Sequence, residues 1–243
     1  MPRMTGWLLA AAVLALAPVR AAPPAPDPGT MTEGFLAAHP DLRWRLEGLR
    51  AHQAGDYALA LTRLLRAASF ADKPAQAIIA EMHWRGQGVP QDRPLAYAWM
   101  DIAAERLYPG FVAYREAYWE ALSLSERADA IARGQAVLAE YGDALAKPRL
   151  EKVLLRERRK VTGSRVGFVG NLTIVPFTGP LAGTGMTVTG EEYYADKYWK
   201  PDAYWAEQDR IWEAPLRGRV KVGELENAPM DAPPGATDPD RGD

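Results

Sequence analysis

Between Asp41 and Gly142 apolar residues return at intervals of three and four, and the runs are cut at regular distances by aspartate, proline and glycine. That period places side chains on one face of an α-helix, and the cuts predict six helices. Asp41, Asp56, Asp72 and Asp92 stand where a side-chain oxygen accepts from a first-turn N–H, with Pro74 adding a fixed φ inside the third helix. Pro109 opens the fifth helix, and Ser123 with Glu126 makes a capping box for the sixth. Gly55, Gly86 and Gly142 supply stops. Ahead of these, Thr30 with Glu33 predicts a short helix to Ala38, ended by Pro40. Loops of a few residues between such helices imply antiparallel neighbours.

The chain also resembles itself. Residues 56–68, DYALALTRLLRAA, align without gaps on residues 92–104, DRPLAYAWMDIAA, at an offset of 36 residues. Asp56 pairs with Asp92, Leu59 with Leu95, Ala60 with Ala96, and Ala67 and Ala68 with Ala103 and Ala104. Two helices in a period of this size are the mark of a stacked helical repeat, in which no unit buries its apolar face alone. The alanines let neighbouring helices approach closely.

The pattern changes after Gly142. Residues 147–160, KPRLEKVLLRERRK, carry seven basic and two acidic residues around Leu150, Val153 and Leu154, an amphipathic helix that caps the array or offers a basic patch. Residues 161–190 turn to glycine, threonine and valine, with short strands expected near 165–169, 172–177 and 186–188. Residues 193–212 gather seven aromatics on short helical turns broken at Pro201. They fit either a clamp of an extended arm onto the helices or a platform for sugar rings. Residues 223–243 hold six acids and one arginine among proline and glycine, the composition of a disordered tail.

At the other end, Arg3, the apolar run Leu8 to Ala17 and the small residues before Ala21 and Ala22 form a secretory leader over 1–21, followed by a proline-rich spacer over 22–29. The run is too short to span a bilayer as a helix, so no transmembrane helix is expected in the mature protein, which is placed in the periplasm or outside the cell. The 29 basic and 31 acidic residues give a net charge of −2, and losing Arg3 and Arg20 with the leader makes it −4. No field draws such a chain to nucleic acid. It has no cysteine and three scattered histidines, which leaves no disulfide, thiolate or metal-ligand spacing. Gly183-Thr184-Gly185 lacks the spacing of a phosphate loop, Gly163-Ser164-Arg165 is no nucleophile elbow, and no cofactor motif is present. Glu140, Asp143, Glu191 and Glu192 are carboxylates in reach of hydrolytic chemistry, but no paired spacing singles any out.

Residues 77–108 resemble a Sel-one-like repeat, a relative of the tetratricopeptide repeat, through Gly86-x-Gly88-Val89-Pro90-Gln91-Asp92 followed by Ala96, Trp99, Ala103 and Ala104. Ala80, His83 and Leu107 depart from it, standing where the family usually has glycine, tyrosine and glycine. The resemblance covers roughly 41–142 and implies a mainly α fold: a short right-handed α-solenoid of antiparallel helix pairs with units 41–71, 72–108 and 109–142; with the short N-terminal helix and the capping helix 147–160 the helical domain is expected over 30–160, followed by an irregular, short-strand arm over 161–222. It also implies an adaptor or scaffold role, and names no ligand and no catalytic residues; the leading reading is a non-catalytic scaffold for a protein or peptide partner in the cell envelope, bound along the groove of its first helices, with Glu81, Trp84, Arg85, Tyr114, Arg115 and Tyr118 as the candidate binding residues. The alternative is a peptidoglycan- or other carbohydrate-binding module using Tyr198, Trp199, Tyr204 and Trp205, and a third reading is a hydrolase whose site the sequence does not mark.

Overall fold

The computed structural model describes residues 31–161, 173–174 and 187–213. The fold is mainly α: α1 (Glu33–Ala38), α2 (Pro40–Gln53), α3 (Tyr57–Ala68), α4 (Lys73–Arg85), α5 (Arg93–Ala103), a 3-10 turn (Ala104–Arg106), α6 (Pro109–Ala121), α7 (Leu124–Tyr141), α8 (Asp143–Val161), then α9 (Gly190–Tyr193), α10 (Asp196–Trp199) and α11 (Pro201–Glu213). Two-residue strands β1 (Thr173–Ile174) and β2 (Val188–Thr189) pair antiparallel, Thr173 opposite Thr189 and Ile174 opposite Val188. The expected leader, spacer, strand near 165–169 and acidic tail lie outside the described residues.

Local chemistry sets most helix starts. The carboxylates of Asp56, Asp72 and Asp92 accept from the N–H groups of Leu59, Ala75 and Leu95 at 3.0, 2.8 and 3.1 Å. Ser123 and Glu126 close the expected capping box. Three boundaries differ from the sequence reading. Thr32, not Thr30, caps α1, its hydroxyl accepting from the Phe35 N–H. Pro40 does not merely end α1: it is the first residue of α2, where its missing N–H costs nothing. Asp41 is therefore not a cap; it lies in the first turn of α2 and is buried. Helix α8 starts at Asp143 rather than Lys147, because the Asp143 N–H is anchored by the Glu105 carboxylate, and it runs through Pro148.

The internal repeat is a repeat of environment as well as of letters. Ala60 and Ala96, Leu64 and Met100, Ala67 and Ala103, and Ala68 and Ala104 are all fully buried. Helix α2 packs along α3, α4 along α5, and α3 against α4. A Cβ on Gly48 of α2 would stand 2.8 Å from Leu64 Cγ, so the first pair depends on a residue without a side chain. Gly88, at φ +71°, ties the two units together: a Cβ there would fall 2.3 Å from that of Tyr57. Leu107 adopts φ 58°, the left-handed conformation that normally calls for glycine. Beyond α5 the stacking changes, with α7 packed chiefly along α5 rather than along α6.

The C-terminal arm returns to the start of the chain. Val188, Tyr193, Tyr198 and Trp199 join Phe35, Ala38 and Leu42 in one apolar cluster. Tyr204 and Trp205 join Ala71, Ala146, Leu150 and Leu154 in another. Leu150 and Leu154 of the basic helix thus face inward while Lys152, Arg156, Arg159 and Lys160 face water.

Candidate functional site

Five of the six candidate binding residues come together where α4 faces α6. Glu81 and Arg85 are one helical turn apart on α4 and form an ion pair at 3.0 Å; Tyr114 and Tyr118 have the same spacing on α6. The rings of Trp84 and Tyr118 stack with centroids 4.0 Å apart and planes 9° apart. Tyr118 is buried, whereas Trp84 and Tyr114 are half-buried and Arg85 is exposed. Burial raises the Glu81 pKa, opposed by the charges of Arg85 and His52. Burial likewise raises Tyr114 and Tyr118, and the Glu81 charge adds to both. The turn after α4 is fixed by the Gln91 side-chain amide, which donates to the Trp84 carbonyl at 2.7 Å.

Arg115 does not belong to this group. One residue on from Tyr114 it projects about 100° around the helix, and it reaches Glu116 at 2.6 Å and Asp101 of α5 at 3.7 Å. Two residues that the sequence reading missed do belong. The guanidinium of Arg93 lies 4.8 Å above the Trp84 ring and donates to the Ala121 carbonyl at the end of α6. His52 of α2 lies near Glu81 and Gln87, its Nε2 3.3 Å from the Gln87 amide oxygen. The sole local signal for Arg93 is its place just after the Asp92 cap, which says nothing of α6.

The alternative platform of Tyr198, Trp199, Tyr204 and Trp205 is not a surface. Their relative exposures are 6%, 2%, 1% and 6%. Phe35 meets Tyr198 and Trp199 edge-on, and His39 lies 5.1 Å from Trp199. Arg106 and Lys147 sit 4.6 and 4.7 Å from the Trp205 ring centre. The polar tips are occupied too: Trp199 donates to the Tyr193 carbonyl at 2.6 Å, Trp205 to Glu151 at 2.9 Å, and the Tyr204 hydroxyl to Asp41. Rings so enclosed cannot stack on a sugar; they clamp the arm to the helices.

A charged network lies beneath that clamp. Arg45 pairs with Asp72 at 2.8 Å. Lys73, almost fully buried, reaches Glu105 at 2.7 Å, Asp143 at 2.9 Å and the Ile102 carbonyl at 2.8 Å. Arg106 reaches Asp143 at 2.6 Å, and the Tyr108 hydroxyl donates to Asp209 of α11. Burial pushes Asp72 up to about 6, opposed by Arg45 and reinforced by the Asp41 carboxylate. Burial also raises Asp41, against the Tyr204 hydrogen bond and Arg45. Asp143 is lowered: its burial is outweighed by Arg106 and Lys73. The cavity among Asp41, Asp72, Lys73, Arg106, Tyr108 and Trp205 measures about 10 Å³, room for one water.

The four carboxylates named for hydrolytic chemistry are not assembled into a pair. Asp143 belongs to this network, Glu192 closes a capping box with Thr189, and Glu140 and Glu191 are exposed. Among the described residues no group of three or more His, Asp or Glu side chains is arranged to hold a metal ion, and no helix is long and apolar enough to cross a membrane.

No family model matches the chain, and no curated protein matches it. Among solved structures it is similar to a protective antigen present in uropathogenic Escherichia coli strains, which displays an SLR fold, at 25% identity and a TM-score of 0.34. The match covers 39% of this chain and 20% of the antigen, so the chain spans about a fifth of that protein's length.

Proposed function

We propose that this protein is an exported helical-repeat scaffold of the Sel-one-like kind that holds a protein or peptide segment of the cell envelope against the α4–α6 face, without catalysing a reaction on it. The observation that carries this reading is the Trp84–Tyr118 stack, flanked by the Glu81–Arg85 pair, Tyr114 and Arg93. Tryptophan, tyrosine and arginine concentrate binding energy, because large rigid rings exclude water around a few charge-assisted hydrogen bonds. Arg85 and the half-buried Trp84 edge are open to a partner, while Tyr118 fixes the ring from behind.

The position of Arg115 gives the test an internal control. In pull-downs from envelope extract, Arg85→Glu and Trp84→Ala should each reduce capture of the partner at least about tenfold, which corresponds to about 1.4 kcal/mol. Arg115→Glu should leave capture unchanged. Equal loss from all three variants, or capture that survives Arg85→Glu and Trp84→Ala, overturns the reading.

A further inference from the structure

Three guanidinium groups gather around one indole on the α2–α3 pair. Arg43 of α2 and Arg63 and Arg66 of α3 lie 4.8, 4.9 and 4.8 Å from the centre of the Trp44 ring. The close approach of the two helices puts them there: Gly48 admits Leu64, so Trp44, one turn before Gly48, meets the arginines that flank Leu64. Sharing one ring keeps every pair of these charges within about 10 Å, on the order of a Debye length at physiological salt, so their fields add at the surface. One carboxylate answers them: Glu47 lies 2.9 Å from Arg43 Nε and 3.4 Å from Arg63 Nε. Among the described residues Arg66 forms no ion pair, and it is exposed, as is Arg43, while Arg63 and Trp44 are half-buried.

We propose that this cluster is a binding site for a phosphate monoester, whose terminal oxygens take their hydrogen bonds from Arg43, Arg63 and Arg66. Charge selects the ligand. Three arginines against Glu47 leave two positive charges unanswered. A phosphate monoester carries about −1.5 to −2 at neutral pH, whereas a carboxylate or a phosphodiester carries a single charge. Donor count agrees: Arg43 and Arg63 face Glu47 through Nε, which leaves the N–H groups of both terminal nitrogens on each, and Arg66 keeps its whole fork. Three acceptor oxygens on one centre match such forks better than the two of a carboxylate. Trp44 contributes by holding the guanidiniums beforehand, so less side-chain freedom is lost when the anion arrives.

The cluster shares no residue with the α4–α6 face, and this inference does not rest on the proposed function. In the sequence Arg63 and Arg66 are ordinary polar positions of an amphipathic helix. Only the packing of α3 on α2 gathers them with Arg43.

Glycerol 3-phosphate titrated into the full chain should shift the indole N–H resonance of Trp44, assigned by its loss in Trp44→Phe, along a saturating curve. At equal ionic strength dimethyl phosphate, with its single charge, should bind at least about threefold more weakly. Arg63→Gln and Arg66→Gln should each weaken glycerol 3-phosphate at least about fivefold with helical circular dichroism unchanged. Arg210→Gln, at an exposed arginine of α11 outside the cluster, should leave binding as it was. Glu47→Gln removes the competing carboxylate and should tighten binding at least about twofold. Phosphatidylcholine vesicles holding phosphatidic acid separate the sources of such a group. Cosedimentation that Arg66→Gln abolishes supports the site as one for a lipid headgroup, and glycerol 3-phosphate binding without cosedimentation supports it as one for a soluble ester. A Trp44 signal that does not shift or does not saturate, a loss in Arg210→Gln equal to that in Arg66→Gln, or weaker binding in Glu47→Gln overturns the proposal.

Discussion

The seams that stack α2 through α5 and the junction where the C-terminal arm meets α2 and α8 are both closed to water, by opposite means. The seam is built from alanine, glycine and single aliphatic side chains, with Ala60, Ala67, Ala96 and Ala103 fully buried. Its stabilisation comes from close approach, and each contact is small. The junction uses large rings and buried charge: Tyr198, Trp199, Tyr204 and Trp205 above Asp41, Arg45, Asp72, Lys73 and Arg106. A seam of small residues is vulnerable to added volume, whereas a clamp of rings is vulnerable to removed volume.

The largest effect should come from emptying the clamp. Trp199→Ala removes a ring packed by Phe35, His39 and Tyr193, and should lower the free energy of urea unfolding by about 3–5 kcal/mol, with faster proteolysis within 187–213. A loss under about 1 kcal/mol would show that the arm is not docked there.

The seam is tested by two glycines with the same conformation and different surroundings. Gly88→Ala adds a clash with Tyr57 to the strain of a positive φ, and should destabilise by about 2–3 kcal/mol. Gly55, at φ +80°, has nothing within 4 Å of its missing Cβ, so Gly55→Ala should show strain alone, about 1 kcal/mol. Equal losses at the two positions would argue against close approach of the repeat units.

The junction alone should carry an unusual pH dependence. Asp72 holds its proton up to about pH 6 in the fold, compared with about 3.9 in an unfolded chain. The folded state therefore binds the extra proton between those values, and this contribution to stability falls as pH rises from 4 towards 7. Asp72→Asn keeps the cap and cannot ionise. Relative to the parent it should gain on the order of 1–3 kcal/mol between pH 4 and pH 7, read from paired urea titrations. A change in the other direction would mean that Arg45 outweighs burial.

The smallest effect belongs to Leu107. It is 70% exposed and held at φ 58°, so Leu107→Gly relieves strain while giving up little burial. Its thermal midpoint should rise by a few degrees, about 0.5–1 kcal/mol.

The helical pairs were legible because their determinants are local. Asp56, Asp72 and Asp92 cap through N–H groups three residues away, and the alanine repeat at an offset of 36 residues already placed like environments at like positions. The candidate face was legible in part. Glu81 with Arg85 and Tyr114 with Tyr118 follow from helical spacing, whereas Arg115 points one helical step away toward Asp101 and Glu116, and Arg93 is recruited by the end of α6.

Asp41 shows where local reasoning stops. Its position after Pro40 looked like a cap, but its partner Tyr204 lies 163 residues away, and only the returning arm brings it there. The same holds for Tyr108 with Asp209 and for Trp205 with Glu151. Sequence by itself determined what depends on neighbours within a turn or two: helix starts, apolar faces and the repeat. Tertiary structure decided which faces meet, and thereby whether a ring is a clamp or a platform and whether a buried acid keeps its proton, because burial and charge pairing are properties of distance in space.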